Sequence, residues 1–334
     1  MSATYPPTIR WAVAGTGRMA AKFVQDVRHL EDVEFVAVGS RSLASAQAFA
    51  EAHGVARAHG SYADLVADDA IDVLYIATPH PQHYGLALAA IERGVAVLVE
   101  KPFTVSLAGA EEVVALARTK GVFLMEAMWS RFLPAFVRAR ELVLGGAIGH
   151  PQAVQASFCA FRAYDEADRL FNLELGGGTT LDLGVYVASF AQHFLGRPDE
   201  VHAAGTTFPN GADATVSALL RWRDGRSATL TSTLQAGGPN RGLVIGTAGT
   251  LEVTPTVHRP ATITLTRAGQ EPVVEELAPT GHGYSHQVEE VNRCLRAGLT
   301  ESPVVPLEDT LAVQWVLEEM LREVGRDVVE APRG

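Results

Sequence analysis

The sequence predicts an α/β protein in two parts: a doubly wound parallel sheet first, then an α+β part with an open, mostly antiparallel sheet. Three observations predict it. Short apolar runs alternate with helical patterns over residues 1–125, as in successive βαβ units. Those runs are continuously apolar, as strands covered on both faces are. After about residue 150 strand patterns follow one another with few helices between, separated by turn signals such as Asp224-Gly225 and Ala248-Gly249.

In chain order, Ile9 to Ala14 is a strand closed by glycines and Met19 to Leu30 a helix. Glu34 to Val38 and Leu43 to His53 are the next strand and helix. Asp72 to Ala77, Val95 to Val99 and Val122 to Met125 add strands, with helices Tyr84 to Arg93 and Leu107 to Lys120 between them. Helix Pro134 to Leu144 joins the halves, and no flexible linker is marked. Strands are then expected at Ala153 to Phe161, Val201 to Thr207, Ala214 to Trp222 and Ser227 to Leu234. Gly242 to Gly246, Thr250 to Val253 and Thr262 to Thr266 continue them. Helix Thr180 to Phe194 interrupts this half, and helices Ser285 to Ala297 and Leu307 to Val324 end the pattern. The division is therefore one domain over 1–125 and a second over 126–334. Helices within 285–325 are placed where they can pack back on the first domain.

A chain of 334 residues has enough apolar material for two domains. No apolar run is long enough to span a bilayer, so no membrane partner is expected. Met1 to Arg10 lacks a signal-peptide pattern, and Cys159 and Cys294 alone make no disulfide framework. A reduced cytoplasm is the expected setting. The formal charge of −11 argues against gripping nucleic acid, yet leaves room for one local phosphate pocket.

"VAGTGRMA" places Gly15, Thr16, Gly17, Arg18 and Met19 directly after the first strand. Such a loop turns tightly and lets backbone approach a pyrophosphate at a helix N-terminus. Ala20 fills the third glycine position, which the fingerprint permits. The plainer reading is a glycine turn needed only for packing. At the end of the second strand an NAD site would carry an acid, but Asp32 and Glu34 lie at the wrong end. Ser40, Arg41 and Ser42 lie at the right one, and arginine suits a 2′-phosphate. NADP is favoured over NAD, against the alternative of a solvated surface arginine.

Ligands of such a sheet bind beyond the carboxyl ends of its strands. Glu100-Lys101-Pro102 and Thr78-Pro79-His80 both sit at such ends. The proline biases Lys101 towards an extended backbone, which fixes the direction of its ammonium. Downstream, Asp182 and Tyr186 are four apart and share a helical face, continued by Ser189 and His193. A nearby ammonium favours the phenolate of a tyrosine whose ordinary pKa is about 10, which makes Lys101 and Tyr186 an acid/base pair. A merely structural, hydrogen-bonded tyrosine is the competing reading.

The motifs "GTGRMA", "ATPHPQH", "VEKPFTVS", "MEAMWSRFLP" and "LELGGGTTLDLGVY" together resemble the Gfo/Idh/MocA family of NAD(P)-dependent oxidoreductases over essentially the whole chain. Within it the chain looks most like the dihydrodiol dehydrogenase and NADP-dependent D-xylose dehydrogenase branch. Many members carry histidine where this chain has Tyr186, which weakens a histidine-based inositol dehydrogenase. The resemblance implies a Rossmann domain followed by an open sheet, and a homodimer or homotetramer formed through that sheet. It implies Lys101, Asp182 and Tyr186 at the chemistry, and Thr78, Pro79, His80, His83, Glu100 and Lys101 around the nicotinamide end of the cofactor. Trp129, Arg131 and Phe158, with Asp182 and Tyr186, would face a small polyol substrate. His80 and His83 have a metal-like spacing but no third ligand, so no metal is expected. The expected activity is hydride transfer between NADP and a secondary alcohol or lactol carbon of a sugar or dihydrodiol. A ketosugar reductase acting on an anhydrofructose-like substrate, or an inositol dehydrogenase, is the alternative within the family. A non-catalytic NADP-binding sensor is the alternative from another class.

Overall fold

The computed structural model describes residues 7–327 and residue 330. Among these residues the chain builds a six-stranded and an eight-stranded sheet. The first is parallel throughout. Its strands are β1 (Ile9–Ala14), β2 (Val33–Gly39), β3 (Arg57–His59), β4 (Val73–Ile76), β5 (Ala96–Glu100) and β6 (Leu124–Ala127), in the order β3-β2-β1-β4-β5-β6. β4, β5 and β6 are buried along their whole length because helices cover both faces. Those helices are α1 (Arg18–Val27), α2 (Leu43–His53), α3 (Tyr62–Val66), α4 (His83–Glu92) and α5 (Leu107–Lys120). Ser42 and Ser106 start α2 and α5 by accepting the amides of Ser45 and Gly109, at 3.3 and 3.1 Å. Strand order reverses between β1 and β4, which opens a crevice at their carboxyl ends.

After α6 (Pro134–Leu144) the second sheet begins with β7 (Pro151–Cys159). A π-helical turn, Thr180–Gly184, leads into α7 (Val185–Leu195). The remaining strands are β8 (Glu200–Thr207), β9 (Asp213–Arg221), β10 (Ser227–Thr233), β11 (Gly242–Gly246), β12 (Gly249–Thr254), β13 (Thr262–Arg267) and β14 (Val273–Glu276). Their order is β14-β13-β12-β11-β7-β10-β9-β8, and only β7 and β10 run parallel. α8 (Ser285–Arg296) and α9 (Leu307–Glu323) follow. α6, α7 and α9 cover one face of this sheet. The other face is open: along β9, Val216, Ala218 and Leu220 are buried while Ser217, Leu219 and Arg221 are exposed. α8 crosses to the first sheet, where Asn292 accepts the indole N–H of fully buried Trp11 at 3.3 Å and Arg296 pairs with Asp32 at 2.8 Å.

The structure adds elements that periodicity does not reveal. β3 has three residues, α3 five and β14 four, too short to establish a period. α1 stops at Val27 rather than Leu30. β7 stops at Cys159, so Phe161 and Arg162 lie beyond it, with Phe161 63% exposed. The expected single helix over 180–194 begins instead with the wider π turn.

Candidate active site

A cleft of about 680 Å³ opens at the carboxyl ends of β1, β2, β4 and β5. Gly15 lines it at φ +110°, and a Cβ there would stand 2.7 Å from the Ala77 carbonyl oxygen, so only glycine lets the two loops approach. α1 starts at Gly17 without a side-chain cap, leaving its first amides free for an anion. Thr16, Arg18 and Met19 line the cleft beside it, with Lys22 one turn further along α1. Ser40 and Arg41 line it from the end of β2, facing Tyr62 of α3. Thr78, Pro79 and His80 line it from the end of β4, and the Thr78 hydroxyl is buried with no partner among the described residues. Glu100, Lys101, Asp182 and Tyr186 close the lining, together with Arg169. Bare amides, the cations Arg18, Lys22 and Arg41 and an unpaired hydroxyl are groups that would suit the phosphates of a dinucleotide.

At the end of β5 the Glu100 carboxylate accepts the Tyr75 hydroxyl at 2.6 Å and the Lys101 amide at 3.2 Å. Burial pushes its pKa up. Beyond it the loop is tied down by carboxylates from distant elements. Glu126 accepts Phe103 N–H at 3.2 Å and the Thr310 hydroxyl at 3.1 Å, and burial pushes its pKa up to about 7. Glu330 accepts the amides of Val105 and Ser106, and Glu318 accepts that of Leu107 at 2.6 Å. Lys101 is thus held on a stiff base. Its Nζ donates to the Asp182 backbone oxygen at 2.8 Å and to Oδ1 at 3.4 Å, and lies 4.8 Å from the Tyr186 ring centroid. Arg169 reaches the same Asp182 Oδ1 at 3.2 Å and lies 3.4 Å from His80 Nε2. Burial opposes the Asp182 charge, but Lys101 and Arg169 outweigh it and hold the carboxyl below the usual carboxylate range.

The Tyr186 hydroxyl accepts Trp129 Nε1–H at 2.9 Å. Burial, then the Glu100 charge, raises its pKa well above the ordinary value, so the protein holds a neutral phenol. This differs from the sequence expectation of an ammonium favouring phenolate: Lys101 faces the ring rather than the hydroxyl and directs two of its three donors to Asp182. His80 and His83 are also neutral, burial being the main cause, with His83 down to about 4.

Several expected residues stand elsewhere. Ser42 is spent on capping α2 and does not line the cleft. His83 is fully buried, its two ring nitrogens 2.9 Å from the Thr78 and Pro102 carbonyl oxygens; the neutral ring donates its single N–H to one of them and packs between the two loops from beneath. Trp129 and Phe158 lie behind Tyr186, their ring centroids 6.4 and 5.8 Å from its own. Arg131 is the clear correction. Its guanidinium is 1% exposed and bonds Ser189, Gln192 and Asp309, so it joins α7 to α9 instead of meeting a substrate. Ser189 and His193 likewise turn inward, because α7 is buried nearly all round. Arg131→Met is expected to lower stability by about 3 kcal/mol while leaving substrate KM little changed, because a buried pair is broken and no cleft contact is lost. Denaturant unfolding and steady-state kinetics on one preparation check it.

Arg169 and Lys22 also line the cleft, and His258 packs beside Tyr186, three residues to which the sequence motifs do not point. Arg169 sits on an irregular stretch before the π turn. Lys22 could have been found, since it follows Arg18 by one helical turn. His258 lies stacked on Phe158, ring centroids 4.4 Å apart, and 5.4 Å from Tyr186. Among the described residues no group of three or more His, Cys, Asp or Glu converges as a metal site.

This sheet order, with a glycine loop after β1 and a lysine held at the mouth of β5, is that of a nicotinamide-dinucleotide-dependent oxidoreductase. Residues 9–128 match the model of an oxidoreductase family with an NAD-binding Rossmann fold, and residues 136–252 match the GFO/IDH/MocA C-terminal domain. The chain belongs to the Gfo/Idh/MocA family and is an NAD(P)-dependent oxidoreductase. It is 34% identical over 327 residues to trans-1,2-dihydrobenzene-1,2-diol dehydrogenase of Xenopus laevis, covering 95% of this chain and 98% of that one. The Mus musculus enzyme of that name is 35% identical over 328 residues, with 95% and 97% covered. A 3-ketoreductase from Actinomadura kijaniata, solved with NADP and TDP-benzene, superimposes with a TM-score of 0.84 at 26% identity, over 96% of this chain and 99% of that one. An aldose-aldose oxidoreductase from Caulobacter crescentus shares the fold, with a TM-score of 0.85 at 24% identity over 95% and 98% of the two chains.

Proposed function

We propose that this chain is an NADP-dependent oxidoreductase moving a hydride between the nicotinamide and a secondary alcohol or lactol carbon of a sugar or dihydrodiol. The observation that carries the reading is the meeting of Lys101, Asp182 and Tyr186 in the same cleft as the glycine loop. The bound cofactor supplies the hydride acceptor or donor; everything else is asked of the chain. Tyr186 exchanges the proton with the substrate oxygen, Lys101 holds that oxygen, and Asp182 keeps the ammonium in place. A phenol that stays protonated through neutral pH suits delivery of a proton to a carbonyl oxygen. Reduction is therefore favoured at neutral pH, and oxidation gains as pH rises. The dihydrodiol and sugar readings draw support from the names of the relatives and structural neighbours. A panel of sugars and trans-1,2-dihydrobenzene-1,2-diol, each with NADP+, tests it through the absorbance of the reduced cofactor. No turnover of any of them would overturn the substrate class. The open face of the second sheet supports a homodimer or homotetramer formed there, checked by light scattering.

NADP is preferred on charge. Among the described residues the carboxylates lining the cleft are Glu100 and Asp182, both engaged near β5, whereas Arg41 stands beyond the end of β2 and Arg18 and Lys22 line the cleft from α1. NADP is expected to bind more tightly than NAD, and Arg41→Ala to remove most of the difference, about tenfold or more. Titration of both cofactors against both proteins checks it; equal affinities in the parent sink the preference.

A further inference from the structure

The rings around Tyr186 come from separate parts of the chain, and something must hold them together. Tyr284 packs on Trp129 with ring centroids 4.7 Å apart, and Trp129 donates to the Tyr186 hydroxyl. Tyr284 lies on the short segment before α8, and that segment hangs from α1. The Asp26 carboxylate, buried in the last turn of α1, accepts the amides of His282 and Tyr284 at 2.6 and 2.8 Å. Gly281 has φ +55°, and a Cβ there would collide with Asp26 Oδ1. Gly283 has φ +100°, and a Cβ there would stand 2.5 Å from Leu133 Cδ2. The Gly281 carbonyl in turn accepts Arg259 Nη2–H at 2.8 Å, which fastens the neighbouring His258 segment.

We infer that Asp26 is a positioning residue: it suspends residues 281–284 from the cofactor helix and through them sets Trp129, His258 and Tyr186. α1 begins at the bare amides beside the glycine loop, so one rigid helix carries the dinucleotide seat at one end and the anchor of the substrate wall at the other. An aspartate needed only to end α1 would have no reason to demand glycine at 281. This inference rests on the reading of Tyr186 as the proton-transfer residue, but it has a test of its own.

Amide hydrogen exchange on Asp26→Ala is expected to deprotect 281–284 and also the segments around Trp129 and His258, with 15–20 unchanged. Deprotection confined to 281–284 would overturn the inference. Kinetics with the best substrate of the panel supply a second arm. Asp26→Ala should lower kcat/KM by about tenfold in the parent and by less than about twofold in Tyr284→Ala, because residues acting through one another are not additive. Equal factors in both backgrounds would also overturn it. Asp26→Asn, which keeps one acceptor, should fall between parent and Asp26→Ala and serves if the alanine variant folds poorly. Should Tyr186→Phe prove fully active, the role of that tyrosine falls, and the exchange pattern still decides the role of Asp26.

Discussion

Tyr186→Phe is expected to lower kcat by about 10²–10⁴-fold, the range that general acid–base catalysis contributes. The ring remains, so its contacts with Trp129 and Phe158 survive, but the Trp129 indole N–H loses its acceptor and the thermal midpoint should fall modestly. Cofactor affinity should hold, since the hydroxyl faces Trp129 and not the glycine loop. The pH dependence is the sharper readout. In the parent the raised phenol pKa keeps the proton on across neutral pH. Carbonyl reduction should then stay flat until pH climbs towards that pKa and fall beyond it. Oxidation needs the proton gone and should rise over the same interval. Both limbs vanish in the phenylalanine variant. Should kcat and both limbs survive, the proton moves through another group, and His80 becomes the next candidate.

Lys101→Ala is expected to cost about 10²–10³-fold or more in kcat, the scale of removing one preorganised charge from a water-poor site. Asp182 then keeps Arg169 alone as its cation, and the ammonium over the Tyr186 ring is gone. The fold should tolerate the change, because the side chain ends a strand at a cleft and the loop beyond is held by Glu126, Glu318 and Glu330. Single-turnover kinetics beside a thermal scan check it. Activity within a few-fold of the parent would make Lys101 structural.

The first half of the fold was legible because its signals are local. An apolar strand, a glycine turn and a helix announce themselves within a dozen residues, and a lysine before a proline at a strand end needs no distant partner. Asp182 and Tyr186 were legible as a pair, but the helical face drawn through Ser189 and His193 was not real. That reading presumes an exposed side, whereas α7 lies between the second sheet and α9 and has almost none. Arg131 misled for a related reason: nothing in its neighbourhood along the chain announces Asp309, 178 residues away. Arg169, His258 and Tyr284 stand on irregular segments without a period, and only tertiary structure brings them to Lys101 and Trp129.

The crossing of α8 to the first sheet bears on how members of this family can be recombined. A graft that exchanges everything after residue 126 would replace Asn292 and Arg296, the partners of Trp11 and Asp32, and the segment whose backbone amides Asp26 holds. The seam between cofactor specificity and substrate specificity is thus not one point along the chain. A hybrid that borrows a new substrate sheet must retain residues 281–296 with their native α1 and β1, as a cassette entered at both ends.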